Sequence, residues 1–432
     1  MHTFRRCMVQ NPTATLFDGS TDSISWSPSL GVFPNVDLML ETNSRWLRMW
    51  AFWSMLQPRP PDASNPDRAH NIGLSGPAGP ETRGQNPEQH FNRIRQQIEF
   101  IRTHPNPQIS SLRIILTAIE FPWWTNGQNW GTGLAGSRSF AFPDDLSPTS
   151  PWAEWIGWLF RNFSRQGALR VDAIEIVNEP NAQCRPQAST RGNAACWTSQ
   201  MFSSALAQRA AKSRDLGMAE TAMPALMGPG TADIFKPERP DLQSDYSTFT
   251  NNLISQLVAA RFTAPPSFVW THHNYNDVEY DLGIGSTAPS GAADECPPLN
   301  RASHAQGLLT YRWSGGPYGD IAAPYVFITE GGCRRKADWM MRWSLSSTNP
   351  QNSTQVDAKQ GDLVGRNLAR MQNEEDGKGI GMVSTYTFNA ATGSPQNDSA
   401  IRNAVSGTTP GRKREPAYTR WTQAPSHPNL YD

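Results

Sequence analysis

Two short motifs put carboxylates where chemistry can be done. Asn178-Glu179-Pro180 closes the apolar run Ala173–Val177, and Thr329-Glu330-Gly331-Gly332 closes the run Tyr325–Ile328. One glutamate at a strand end reads most simply as an exposed loop acid. Two of them, each after an apolar run, point to a carboxylate pair across a cleft. That pair is the machinery of glycosidic bond cleavage: one acid protonates the leaving oxygen, and the other attacks or activates water.

Other side chains near strand ends could assist. His272 and His273 stand in Thr271-His272-His273-Asn274-Tyr275, and Glu120 is a third acid at a strand end. Glu120 could bind a sugar hydroxyl or pair with a structural arginine, and the sequence favours neither. Trp50 and Trp53 lie at and just after the second run, and Trp123, Trp124 and Trp130 lie in the loop after the third. An indole face buries much area at little entropic cost and can stack on a sugar ring. For each tryptophan alone, packing is the simpler role; for at least one of the five, ligand stacking is expected.

These residues must be held by a scaffold, and the apolar periodicity supplies one. Short runs rich in β-branched and aromatic residues (Ser23–Trp26, Trp46–Trp50, Leu112–Ile119, Ala173–Val177, Ala222–Met227, Phe268–Trp270, Tyr325–Ile328 and Gly381–Phe388) alternate with helical patterns. The helices are expected near 35–42, 87–102, 151–163, 197–216, 246–260, 302–313, 355–371 and 416–421. Pro87 suits a first helical turn. Eight strand–helix units in strict alternation predict a (β/α)8 TIM barrel with long βα loops, 57–86 and 121–149, on its catalytic face. A doubly wound sheet is the alternative, but no glycine-rich phosphate fingerprint follows the first strand. The expectation is one domain over 1–432, with 1–21 an N-terminal extension and 390–432 the final helix and tail.

Composition narrows the partners. Lys plus Arg and Asp plus Glu number 38 each, so the formal charge is zero. A nucleic-acid binder needs a basic excess, and so does a chain held to an anionic membrane surface. No segment reaches the ~18 apolar residues of a membrane span. The sequence carries 16 Trp against 9 Tyr, a surplus that suits both a large core and ring-shaped ligands. Cys7, Cys184, Cys196, Cys296 and Cys333 form no zinc pattern. Cys184 and Cys196 flank the polar stretch 185–195 and are expected to pair. A metal-dependent barrel hydrolase would need several His and Asp at strand ends, where only His272 and His273 stand. No metal and no cofactor are therefore expected. The first twenty residues lack the apolar core of a signal peptide, while the cysteines lean towards a secreted or extracytoplasmic setting.

The ordered set of motifs resembles the clan A glycoside hydrolases, and most nearly the cellulase-like family 5 enzymes. Asn178-Glu179-Pro180 and Thr329-Glu330-Gly331 carry the resemblance, together with Arg48 in RWLRMWAFW, His273-Asn274-Tyr275, and Arg414–Tyr418 (REPAY). The resemblance implies a retaining β-glycosidase with Glu179 as acid/base and Glu330 as nucleophile. Asn178 would bind the sugar 2-hydroxyl, and Arg48 and Tyr275 would hold Glu330 ionised and oriented. His273 belongs to the same supporting set. The carboxyl groups of a retaining pair stand about 5–5.5 Å apart. The sequence departs from family 5 at Ile119-Glu120-Phe121, where a histidine is usual, and at Tyr386, where a tryptophan usually lies under the sugar. A transglycosylase on the same scaffold and a catalytically inactive carbohydrate-binding barrel are the competing readings. In all of them the partner is a carbohydrate.

Overall fold

The structure, a computed structural model, describes residues 6–9, 45–61, 64, 71–74, 86–125, 142–164, 167–182, 194–234, 244–262, 268–275, 326–332, 354–372, 380–385 and 413–423. Its elements in chain order are β1 (Arg6–Val9), β2 (Trp46–Phe52), α1 (Trp53–Leu56), α2 (Pro87–Thr103), α3 (Pro107–Ser110), β3 (Arg113–Ile119), α4 (Pro151–Asn162), β4 (Ala173–Glu175), α5 (Ala194–Asp215), β5 (Ala225–Ala232), α6 (Tyr246–Ala259), β6 (Val269–His273), β7 (Val326–Glu330), α7 (Thr354–Gln372), β8 (Ile380–Thr385) and α8 (Ala417–Gln423). Strands and helices alternate from β2 to β6 and from β7 to α8, while the helices expected near 35–42 and 302–313 fall outside the described residues. The first strand is a correction. It lies at Arg6–Val9, inside the stretch expected to be an extension, while 23–26 falls outside the described residues. Its four residues, RCMV, carry one strong β-former and no alternation, so no local signal marks them.

The contacts divide the chain into two compact units. Met1–Arg48, Thr271–Leu308 and Pro324–Asp432 form one, and Met49–Trp270 with Leu309–Ala323 forms the other. In the first unit, parallel pairing runs from β2 to β1, from β1 to β8 and from β8 to β7, with registers Val9↔Arg48, Met8↔Thr385 and Ile328↔Val383. The first and last strands of the chain are therefore neighbours. Trp46 packs edge-on against Phe327 at 5.6 Å. In α7, a Cβ on Gly361 would meet the Pro416 ring and come within 2.8 Å of the Ala417 nitrogen, so only glycine admits the start of α8 there. Lys413 caps that packing, its ammonium 4.5 Å from the centre of the Tyr418 ring.

In the second unit β3, β4 and β5 run parallel, with Thr117 opposite Glu175 and Glu175 opposite Met227. The helix starts are encoded locally. Asn86 and Gln89 form a reciprocal capping box ahead of Pro87, Ser150 caps α4, and Asp245 caps α6. Arg102, near the end of α2, ties the strand beginnings together. Its guanidinium donates to the carbonyls of Arg170 at 2.9 Å and Ser110 at 3.3 Å and pairs with Asp172 at 2.9 Å. Asp172 in turn accepts the Ile114 amide. Between α1 and α4 the core is aromatic. Trp53, Trp155 and Trp158 form a parallel column, with centroids 5.8 and 5.7 Å apart and interplanar angles of 3° and 15°.

Candidate active site

At the end of β7, all five residues VFITE are buried and Glu330 retains 5 % of its surface. Arg48, fully buried on β2, forms an ion pair and hydrogen bond with Glu330 Oε1. The Tyr275 hydroxyl donates to Oε2 at 3.1 Å. His273 Nδ1 stands 3.7 Å from the same oxygen, close enough for an electrostatic contact. The Asn274 amide donates to the Glu330 carbonyl at 3.2 Å, tying the end of β6 to the end of β7. Each carboxylate oxygen thus faces a different donor, which fixes the plane of the group. A buried guanidinium is costly without a counter-charge, so Arg48 and Glu330 each make the other tolerable. His272 is fully buried on the same strand.

The end of β4 is built differently. Asn178 is buried, and Glu179 is partly exposed with φ 46°, in the left-handed region. The Glu179 amide donates to the Gly230 carbonyl at 2.9 Å, and the Glu179 carbonyl accepts the Ala182 amide at 2.9 Å. Asn181 clasps the end of β5: its side chain donates to the Ala232 carbonyl and accepts the Ala232 amide, at 2.8 and 2.9 Å. The turn leaving β4 is therefore anchored to β5 on both sides of Glu179. Asn181 had no signal in the sequence beyond lying two residues past the acid.

Glu120 ends β3 in the same fashion, with φ 58° and 5 % exposure. Ser54 holds it twice, hydroxyl to Oε2 at 3.0 Å and amide to the main-chain carbonyl at 3.2 Å. Trp53 is only 1 % exposed. It stacks on Trp155, meets Phe121, Trp124 and Trp152, and gives its indole hydrogen to Gln57, so packing is its role. Trp50 is also buried, beside Phe52. Trp123 and Trp124 are half-buried in the turn Trp123–Thr125, and the Trp124 indole donates to the Gln57 carbonyl at 3.0 Å. Tyr386 and Trp130 lie outside the described residues. Cys196 accepts a hydrogen bond from Gln200 at 3.5 Å, and Cys184, its expected partner, lies outside the described residues. Among the described residues of each unit taken alone, no three His, Cys, Asp or Glu side chains come within metal-binding reach of one another.

No family model matches the chain, and no curated protein sequence matches it. Among solved structures it is similar to several glycoside hydrolases. One is a glucosidase from Croceicoccus marinus, at 10% identity and a TM-score of 0.46, covering 90% of this chain and 62% of that one. Another is a family 39 glycoside hydrolase from Bacteroides cellulosilyticus, at 11% and 0.49, covering 98% and 64%. A third is an endo-β-1,4-glucanase from Xanthomonas axonopodis pv. citri, at 13% and 0.46, covering 98% of each chain. The chain spans less than two thirds of the length of the first two.

Proposed function

We propose that the protein is a retaining glycoside hydrolase acting on β-linked glycosides or polysaccharides, with its eight strands closed into one (β/α)8 barrel. The pairing of the first strand with the last supports the barrel over an open doubly wound sheet. The observation that carries the function is the grip on Glu330: a nearly buried carboxylate at a strand end, held by Arg48 on one oxygen and Tyr275 on the other. A nucleophilic carboxylate needs that treatment, ionised and fixed in plane before the substrate arrives.

In this reading Glu179 protonates the glycosidic oxygen while Glu330 attacks the anomeric carbon. The bond to the leaving group breaks as the bond to Glu330 forms. Glu179, now a carboxylate, takes a proton from water, whose oxygen displaces Glu330 and regenerates both groups. Asn178, next to Glu179, would bind a hydroxyl of the same sugar, while Trp50, Trp123, Trp124 and Tyr386 are candidates for further sugar contacts. The two carboxyl groups would stand about 5–5.5 Å apart.

The test is a screen of aryl β-glycosides and β-linked polysaccharides, with Glu330→Gln as the blank. Release of sugar with net retention, absent from the blank, supports the reading. Inverted product removes the nucleophile role, and no turnover on any substrate removes the hydrolase. Transfer to an added sugar in preference to water would make the enzyme a transglycosylase.

A further inference from the structure

Among the described residues, three that are not glycine adopt positive φ: Glu120, Glu179 and Arg261. Arg261 follows the last turn of α6, where helices ordinarily end in the left-handed region. Glu120 and Glu179 end no helix. Both are glutamates at the carboxyl ends of neighbouring strands, and a left-handed backbone is unfavourable for a residue with a side chain. Counting on from the Thr117↔Glu175 pair brings Glu120 level with Asn178, one residue before Glu179. Each of the two glutamates is secured by a main-chain bond to a neighbouring segment, Ser54 for Glu120 and Gly230 for Glu179. The same unusual turn is thus made twice, side by side, and each time it carries an acid.

A strained backbone persists where its surroundings over-determine it, and such positions concentrate at functional sites. A turn needed only to end β3 would be served at lower cost by glycine or asparagine. A carboxylate at 5 % exposure also carries a desolvation cost that an amide would avoid. What an ionised carboxylate offers is acceptor capacity for about four donors and no donor of its own. Sugar hydroxyls are donors, and the Ser54 hydroxyl fixes Oε2 in place while leaving the group its acceptor character.

We propose that Glu120 is a specificity-determining residue of the Glu179 site, accepting a ring hydroxyl of the sugar substrate while Ser54 holds its carboxylate in position. The inference rests on the glycoside hydrolase reading and deepens it. It makes recognition at this edge depend on a hydroxyl that an apolar residue would not select and an amide would select less strongly.

The experiment uses the full chain and the 4-nitrophenyl β-glycoside it cleaves fastest, with the monodeoxy analogues of that sugar. In the wild type, removing one particular hydroxyl should lower kcat/KM by about 10- to 100-fold, the span of a hydrogen bond to a charged group. In Glu120→Ala the parent substrate should lose a similar factor, mostly through KM, and the penalty for removing that one hydroxyl should vanish. If Glu120→Ala fails to fold, Glu120→Gln carries the same comparison, and its penalty should shrink. Ser54→Ala, which releases the carboxylate that the hydroxyl holds, should shrink that penalty without abolishing it. Deoxy penalties that all survive in the Glu120 variants overturn the proposal and leave Glu120 a packing residue. A wild type that cleaves no β-glycoside removes the hydrolase reading and this inference with it.

Discussion

At the end of β7 it is the side chain of Glu330 that is gripped, by a guanidinium and a phenol. At the end of β4 it is the main chain of Glu179 that is fixed, by a left-handed turn and an amide bond to Gly230. The first device fixes the carboxylate by a counter-charge and a hydrogen bond. The second fixes the backbone and leaves the residue partly exposed. Two glutamates that look alike in sequence are held by different means.

The largest effect that could break this contrast is at Glu330. Glu330→Ala should lower kcat by on the order of 10⁴ or more on every substrate. It should also destabilise the fold, because Arg48 is left buried without its counter-charge, a loss of about 3–5 kcal/mol for a fully broken pair. Glu330→Gln should be equally inactive with a smaller drop in Tm. Activity surviving in Glu330→Gln would overturn the nucleophile assignment.

Next is Glu179→Ala, with a loss of on the order of 10²–10⁴ in rate and the main-chain bonds to Gly230 and Ala182 retained. An activated aryl leaving group needs little protonation, so the covalent intermediate should still form, and azide should restore turnover as a β-glycosyl azide. An α-azide from Glu330→Ala would require the two roles to be exchanged. Tyr275→Phe should be milder still. It removes one donor from Oε2 and should cost about 10- to 100-fold in kcat/KM, with KM nearly unchanged. An unchanged rate would show that Arg48 alone orients the carboxylate.

The smallest effect sharpens the comparison from the opposite side. His90, on α2, is fully buried against Phe52, and neither ring nitrogen has a hydrogen-bond partner among the described residues. Burial, helped by Arg93, lowers its pKa to about 3 from 6.5. The unfolded chain then binds the proton first, so stability is intact above pH 6.5 and falls with pH between 6.5 and about 3. The slope from this group is about 1.4 kcal/mol per pH unit within that window. Chemical denaturation of His90→Leu across this range should show the slope reduced by that amount relative to wild type. Parallel curves would mean that His90 reaches a proton partner.

Periodicity located the helix from Pro87 with its apolar stripe at Ile94, Ile98 and Ile101, and the cap residue Asn86 explains why it starts there. It located β3 to within a residue and β7 to within two residues of their ends. It missed β1, whose four residues gain strand character only from pairing with Trp46–Arg48 and Val383–Thr385, contacts distant in the chain. β5 was weak because ALMGPGTA carries two glycines and a proline among its eight residues. The glutamates themselves were legible from their places after apolar runs. Arg48 and Tyr275, which hold Glu330, were named through the resemblance, while what holds Glu120 and the turn at Glu179 was not legible. Ser54 is one serine in WSML, and a left-handed φ at a glutamate contradicts residue preference rather than following it. Trp53 was ambiguous for a related reason: a tryptophan after a strand reads the same whether it faces a ligand or, as here, four other aromatic rings.

The column of Trp53, Trp155 and Trp158 has an optical consequence. Indoles this close and nearly parallel share their electronic transitions, so the near-ultraviolet circular dichroism of the chain should contain a coupled signal that depends on their spacing. Trp53 immediately precedes Ser54. A shift of the β2 exit when a sugar meets Glu120 would therefore alter that band, giving an intrinsic readout of occupancy that needs neither turnover nor a label.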